Sequence, residues 1–568
     1  VSKKKSRAFS FSTTPTIKMS RTKMPLSYNR TMSASLGTLY PMYFEEVLPG
    51  DTFKVKSKII SRLTSSFLKP AFANIFLDTY YFFIPSRLVY DDFSCVFGEN
   101  KDGYWAQEKT YEIPSTQLEV GRKLVGTVAD YLELPIFAAA SGTYRPKISL
   151  LPFRCNALVY NEWFRDENFI APVFILTGAV SPNFDETLND REWSVTNYTG
   201  KLPKVSKYHD YFTSVLPAPQ KGSSVDLVQA SFLPLTTNGD TLTSFPNAMR
   251  FGASGGNPLN RANSFAPLYL AGSSTSRGNQ VLSGNNTSLS TVSPQSDYTT
   301  VNSNLAVQST NLGVNMFSNF SVNDLRLAFQ TQKMLEKDAM YGTRYVEYLL
   351  GHFGVSSPDA RMQRPEFLGG RRLNIGISQV AQTSASTEGN ALGDLAGYSL
   401  SDGSCGFSKG FTEHGYIIGY CCYRQFHTYQ QGLDRRFTRF TRLDYYDPVF
   451  ANIGNQPVMQ SQIFAFADPE DLFGFQEAWA DYRFHANNVT GQMRSVADNS
   501  LDIWHLADEY TNAPVAGRQF ITETPNFLDR VISVTSSAQD QFILDIWHDV
   551  EAVRVMPLRS IPGLIDHH

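Results

Sequence analysis

Four groups of residues in this chain have side chains suited to chemistry. Gly252-Ala253-Ser254-Gly255-Gly256 has the spacing of a hydrolase nucleophile elbow, which needs a strand before the serine and a helix directly after it. Here the neighbours are an Asn-, Ser- and Gly-rich stretch and Pro258, so the elbow is not expected. His414, Cys421, Cys422 and His427 carry metal-ligand types. Successive strand residues point to opposite faces, however, so Cys421 and Cys422 cannot reach one ion from a strand, and no Cys-x2-Cys pair supports them. They read as buried thiols and hydrogen-bonded histidines, and no metal or cofactor is expected. The acids Asp444, Asp447, Asp468, Glu470 and Asp471 stand where turns and helix starts use carboxylates. With no phosphate-binding loop, dinucleotide fingerprint or His-Glu-x-x-His, nothing argues for an enzyme.

The fourth group is cationic, and its chemistry is the capture of phosphate. Every charge in the first thirty residues is positive: Lys3, Lys4, Lys5, Arg7, Lys18, Arg21, Lys23 and Arg30. The first acid is Glu45. Removing these eight leaves 42 basic residues against 53 acidic ones, so a cationic arm is joined to a mildly acidic body. Such segregation suits a protein that touches a polyanion from one side, because phosphate attraction is screened over roughly 10 Å at physiological salt. A second cluster, Arg435, Arg436, Arg439 and Arg442, is interleaved with Phe437, Phe440 and Tyr445. Guanidinium groups beside rings are what a sequence-tolerant single-strand surface uses, and they equally suit an interface in which arginines pair with acids.

The elements that must position these groups are mainly strands. In residues 53–59 Phe53, Val55 and Ile59 alternate with three lysines, the pattern of a half-buried strand. Residues 76–84, stopped by Pro85, suit a strand buried on both faces, and 416–426 and 542–556 are further strands. These lie far apart, so sheet partners are non-local and long excursions leave and re-enter the sheet. Helices are expected from Ser321, where Asp324 completes a capping box, to about Met340, and at 153–166 and 471–484. Residues 262–323 hold only two charges, Arg277 and Asp297, and read as short strands and loops ordered by packing. Residues 381–404, polar and glycine-rich, read as a surface loop.

Aromatic residues are abundant, with 41 Phe and 28 Tyr, and charged residues make up only 18%. That balance predicts much buried contact area, inside one core or between subunits. The odd number of cysteines, five, fits reduced thiols. No run approaches the ~18 apolar residues of a membrane helix, and the arm lacks the apolar centre of a secretory signal. A soluble protein made in a reducing compartment is expected.

Several blocks together resemble the gokushovirus major capsid proteins, from small icosahedral single-stranded DNA phages of the Microviridae. They are EVLPGDTF at 46–53, FLDTYYFFIPSRLVYDDF at 76–93, LPFRCNALVYNEWFRDEN at 151–168, HDYFTSVLPAPQKG at 209–222, residues 324–370, residues 411–450, and SIPGLIDH at 560–567. The resemblance implies a mainly β fold, an eight-stranded antiparallel jelly roll with large loop and helical insertions. It also implies sixty copies in a T=1 shell around circular single-stranded DNA, present in the virion and assembled in the bacterial cytoplasm. The expected division is a basic arm (1–44), the first part of the jelly roll (45–222), a variable insertion forming a threefold protrusion (223–320), and a helical insertion with the rest of the jelly roll (321–568). Partners are then the packaged DNA, a small basic packaging protein, because eight charges per copy neutralise only part of a genome, and a host-surface receptor reached by the insertion. The DNA role of Lys3, Lys4, Lys5 and Arg7 rests on charge and not on a family motif. Competing readings are a soluble single-stranded DNA-binding protein and a carbohydrate-binding β-sandwich.

Overall fold

The computed structural model describes residues 20–559 apart from 73, 102–110, 140–143, 179–185, 224, 226–230, 235–267, 270–280, 283–312, 317–321 and 384–391. The chain divides into two compact units, Val1–Gly222 with Met334–His568, and Ser223–Lys333. In the second, Ser231–Pro234 pairs antiparallel with Gly313–Met316, and Leu268–Tyr269 with Val281–Leu282.

The first unit is built on two facing antiparallel sheets. Besides the short pair Ser115–Gln117 and Lys147–Ser149, its strands are β1 (Thr22–Pro25), β2 (Tyr28–Ala34), β3 (Tyr40–Val47), β4 (Thr52–Leu63), β5 (Ile75–Pro85), β6 (Glu366–Asn374), β7 (Ile377–Ala381), β8 (Leu395–Gly410), β9 (Gly415–Gln425), β10 (Asn455–Met459), β11 (Leu472–Glu477) and β12 (Phe542–Arg554). One sheet has the order β2-β12-β4-β8-β7, with β1 beside β2 on the same edge of β12; the other has the order β6-β5-β9-β3. Following the chain, β2, β4, β8 and β12 fall in one sheet and β3, β5, β6 and β9 in the other. Two Greek keys wound in this way make a viral-type jelly roll, in which β1 and β7 are additions.

Strand periodicity decides what each face buries. On β4, Phe53, Val55, Ser57, Ile59 and Ser61 point into the sandwich while Lys54, Lys56, Lys58 and Arg62 point to solvent. On β12, Phe542, Leu544, Ile546 and Val550 point inward, and the strand is inserted between β2 and β4 in the register Phe542↔Leu63 and Ile546↔Ile59. Both faces of β5 and β9 are covered, as their near-continuous apolar sequences require. Tyr423 of β9 stacks on Phe542 across the sandwich with ring centroids 3.9 Å apart. Gly37 turns the chain between β2 and β3 at φ +79°, and a Cβ there would lie 2.3 Å from the Glu523 carbonyl oxygen.

Helix α1 (Leu151–Val159) continues as a π-helical turn over Tyr160–Phe164, close to the expected 153–166. Helix α2 (Val322–Tyr341) lies where the capping pattern puts it; Ser321 itself falls outside the described residues, and no residue of α2 is buried. It is followed by α3 (Tyr345–Phe353). Two expectations fail. Residues 471–484 form β11 and a 3-10 turn at Ala480–Tyr482 rather than a helix, because the chain pairs with β10 and with Leu216, and Gly474 packs under Val215. Residues 381–404 are not simply a loop: β7 and β8 pair as an edge hairpin from Ile377↔Ser399 to Ala381↔Leu395. The glycines that make β8 look loop-like sit where a Cβ would collide, 2.2 Å from the Val55 carbonyl oxygen at Gly406 and 2.4 Å from the Leu373 side chain at Gly403.

Candidate nucleic-acid and assembly surfaces

Lys3, Lys4, Lys5, Arg7 and Lys18 lie outside the described residues, and the basic segment enters the fold at Arg21, beside Gly50. Residues 22–44 are strands rather than a free tail, because Met32, Ala34 and Met42 are buried in the sandwich. Lys23 on β1 pairs with Glu551 (2.7 Å) in the open. Arg30 on β2 is mostly buried, donating to Glu133 Oε1 (2.9 Å) and to the Tyr131 carbonyl oxygen (2.7 Å). Three acid-free cations therefore do not follow from three basic letters: Lys23 and Arg30 are matched locally.

The sheet that carries β1 also presents a row of cations on its outer face. Lys54, Lys56, Lys58 and Arg62 of β4 face Glu551, Asp549, Trp547 and Ile543 of β12 in register. Among the described residues these four cations have no ion pair within 4 Å, while Asp549 and Asp545 accept from Ser27 (3.2 Å) and Asn29 (2.9 Å). The alternation of Phe53 to Ile59 makes the row legible in the sequence, but its place on the sheet that anchors the arm is a tertiary fact.

The second cluster is shaped by two tight turns. Asp434 caps one by accepting from the Arg436 amide (2.8 Å), and Asp444 accepts from the Thr441 (2.6 Å) and Phe440 (3.0 Å) amides in the other. These turns throw Phe437 and Phe440 outward. The guanidinium groups are largely committed: Arg436 donates to Asp434 (2.7 Å), and Arg439 is buried against Asp481 and stacked 4.2 Å over Tyr482. Arg435 lies next to the Tyr211 hydroxyl, and Arg442 is exposed with no ion pair among the described residues.

Among the described residues, the histidines and cysteines singled out above are buried or half-buried and packed against neighbours. Gly252 to Gly256 fall outside the described residues. His414 and His427 flank opposite ends of the eleven-residue β9, which puts them roughly 35 Å apart at ~3.3 Å per residue. Cys421 and Cys422 are fully buried on opposite faces of that strand, and burial pushes the Cys422 thiol up to about 12. His414 stacks on Phe97, with centroids 4.6 Å apart. His427 bridges two carboxylates, Nδ1 to Asp508 (2.8 Å) and Nε2 to Glu523 (3.1 Å), while Lys207 Nζ stands 3.3 Å from Asp508. Burial opposes the charged imidazolium, but Asp508 and Glu523 outweigh it and raise His427 to about 9. Burial likewise opposes ionisation of Asp508, but Lys207 and His427 overcome it and hold the carboxyl at about 2. Two cations facing two anions make a structural lock. A cleft of about 620 Å³ lined by Tyr80, Trp163, Arg344 and Arg424 is similarly committed, since Arg424 pairs with Asp78 (2.5 Å) and Arg344 with Glu167 and Glu347. Asp447 and Asp468 accept turn amides of Val449 (2.9 Å) and Glu470 (3.0 Å), as expected of turn acids.

The geometry thus offers a sandwich, a basic edge and no organised reaction centre among the described residues. A family model described as capsid protein (F protein) of phages matches residues 12–564. The chain belongs to this phage capsid protein family. It is 34% identical to the capsid protein VP1 of Chlamydia phage 1, over 98% of this chain and 97% of that one. To the capsid proteins VP1 of Bdellovibrio phage phiMH2K and Spiroplasma virus 4 it is 33% and 34% identical, again over nearly the full length of both partners. The resemblance to the gokushovirus capsid proteins of the Microviridae is borne out. A phage capsid protein is a structural component of the virion and works in many copies. No helix among the described residues is long and apolar enough to cross a membrane.

Proposed function

We propose that this chain is the major capsid protein of a small phage, sixty copies of which form a T=1 icosahedral shell around circular single-stranded DNA in the host cytoplasm. The observation that carries the reading is the joining of a jelly roll, in a chain of capsid family, to a segment whose every charge is positive. Lys3, Lys4, Lys5, Arg7, Lys18 and Arg21 are the residues assigned to the DNA, because Lys23 and Arg30 are matched by Glu551 and Glu133. The row Lys54, Lys56, Lys58 and Arg62 extends the same basic side. A small basic protein completes neutralisation of the genome. The segment 223–320, with few charges from 262 to 312, meets a host-surface receptor.

Deleting residues 1–19 leaves β1 intact and tests the assignment. Electron microscopy and nuclease-protected DNA content should give shells in near-normal number with severalfold less DNA per shell. An unchanged ratio of DNA to shell removes the arm from the DNA, and absence of shells from the unaltered chain removes the capsid reading itself.

A further inference from the structure

The subunit lobe that follows β9 exposes far more apolar surface than its own core explains. Its interior is a satellite cluster around Tyr211, Phe212, Tyr429, Val458, Ile463 and Phe473. Outside it, Phe437, Phe440, Leu443, Val449 and Phe466 are each 70% to 95% exposed. A phenylalanine carries roughly 150–250 Å² of surface, so these side chains offer an area on the scale of a functional patch. They belong to one structure: the Ala465 amide donates to the Gln431 carbonyl oxygen (2.9 Å), the Leu433 amide to that of Ser461 (2.9 Å), and Trp479 Nε1 to that of Phe450 (2.8 Å).

Charge is divided across this apolar surface. Arg442 stands exposed among Phe440, Leu443 and Tyr445, Arg435 lies in the preceding turn, and the acids Asp444 and Asp447 of this segment accept turn amides. Asp468, Glu470 and Asp471 are exposed beside Phe466 and Leu472, and none has an ion pair among the described residues. The exposed guanidinium of Arg442 and the acids at 468–471 are complementary in charge, and among the described residues no ion pair joins them within one copy. We propose that this surface docks on a second copy of the chain, the 435–450 edge of one copy against the 466–472 edge of the next. The inference rests on the reading that the protein assembles in copies, and it assigns the contact residues. A surface complementary to itself is what a symmetric subunit contact requires. Nucleic acid is the less suitable occupant, because Asp434 and Asp481 already neutralise Arg436 and Arg439 and the adjoining acids repel phosphate.

Charge reversal in the full chain tests this. Arg442→Glu should cut the yield of particles by tenfold or more, and adding Asp468→Lys and Glu470→Lys to it should restore most of the yield. A Phe466→Cys variant gives a readout independent of assembly defects, because all five native cysteines are free and buried. Maleimide should modify it readily in dissociated subunits and at least tenfold more slowly in shells. Equal rates in the two states, an unreactive thiol in dissociated subunits, or particle yield unaffected by Arg442→Glu would each overturn the proposal. So would a loss of packaged DNA at normal particle yield, which would mark the cluster as a DNA surface. Failure of the unaltered chain to form particles would instead count against the capsid reading.

Discussion

The sandwich and the lobe after β9 use aromatic residues in opposite ways. In the sandwich, Tyr43, Tyr81, Phe82, Tyr420 and Tyr423 are almost wholly buried on long strands, and their hydroxyls are mostly spent on partners such as Ser57 (2.6 Å), Asn156 (2.9 Å) and Ser61 (2.6 Å). In the lobe the backbone runs through short strands and single turns, and rings of the same kind face water. Long strands supply enough paired backbone to bury rings within one chain, whereas short turns fix a ring's position without covering it. A ring in the first region stabilises the subunit; one in the second is available to a neighbour.

The sharpest break between the regions is a pair of truncations. Phe542→Ala removes a ring stacked on Tyr423 and should cost about 3–5 kcal/mol of subunit stability, read from the denaturation of dissociated subunits. Phe440→Ala, at an exposed site, should leave that stability within about 0.5 kcal/mol while lowering particle yield. Equal effects on stability would erase the distinction.

Two buried histidines extend the contrast to pH. In the sandwich, burial lowers His548 to about 4, where its Nδ1 faces Ser57 Oγ (2.7 Å) and its Nε2 faces the Met42 carbonyl oxygen (3.0 Å). The folded state then binds fewer protons than the unfolded one, so stability is full above about 6.5 and is lost as pH falls toward 4. His427 behaves oppositely. Raised to about 9, it contributes fully below about 6.5 and loses that contribution as pH rises through 9. His548→Gln should flatten the acid limb of the midpoint-versus-pH curve of dissociated subunits, and His427→Gln the alkaline limb. A variant that flattened the other limb would refute the assignment.

The smallest effect is expected at the sheet edge. Lys23→Ala breaks an ion pair whose partners are both well exposed, and the denaturation midpoint should not measurably move. A clear shift would mean that β1 is fastened by that pair and not by its backbone ladder to β12.

Much of the sandwich was legible. Alternation of Phe53, Val55 and Ile59 with lysines marked β4, and the near-continuous apolar runs marked β5 and β9, because burial of one or two faces leaves a period in the sequence. The hairpin of β7 and β8 was not legible, since its serines and glycines answer to the close approach of Val55 and Leu373. Nor was β11, where pairing with β10 and Leu216 overrode residues that favour a helix. For the candidate surfaces, the positive charges of the arm could be counted, but the matching of Arg30 by Glu133 and of Arg439 by Asp481 could not.

By itself the sequence determined the family, the division of charge between arm and body, and which residues of the central strands turn inward. Only the tertiary structure decided that β12 lies between β2 and β4, that His427 is enclosed by two carboxylates, and that the rings at 437–466 remain uncovered. The physical reason is that a strand's period records the environment of its own faces, whereas sheet partners, ion-pair partners and uncovered rings depend on segments hundreds of residues away and leave no local signature.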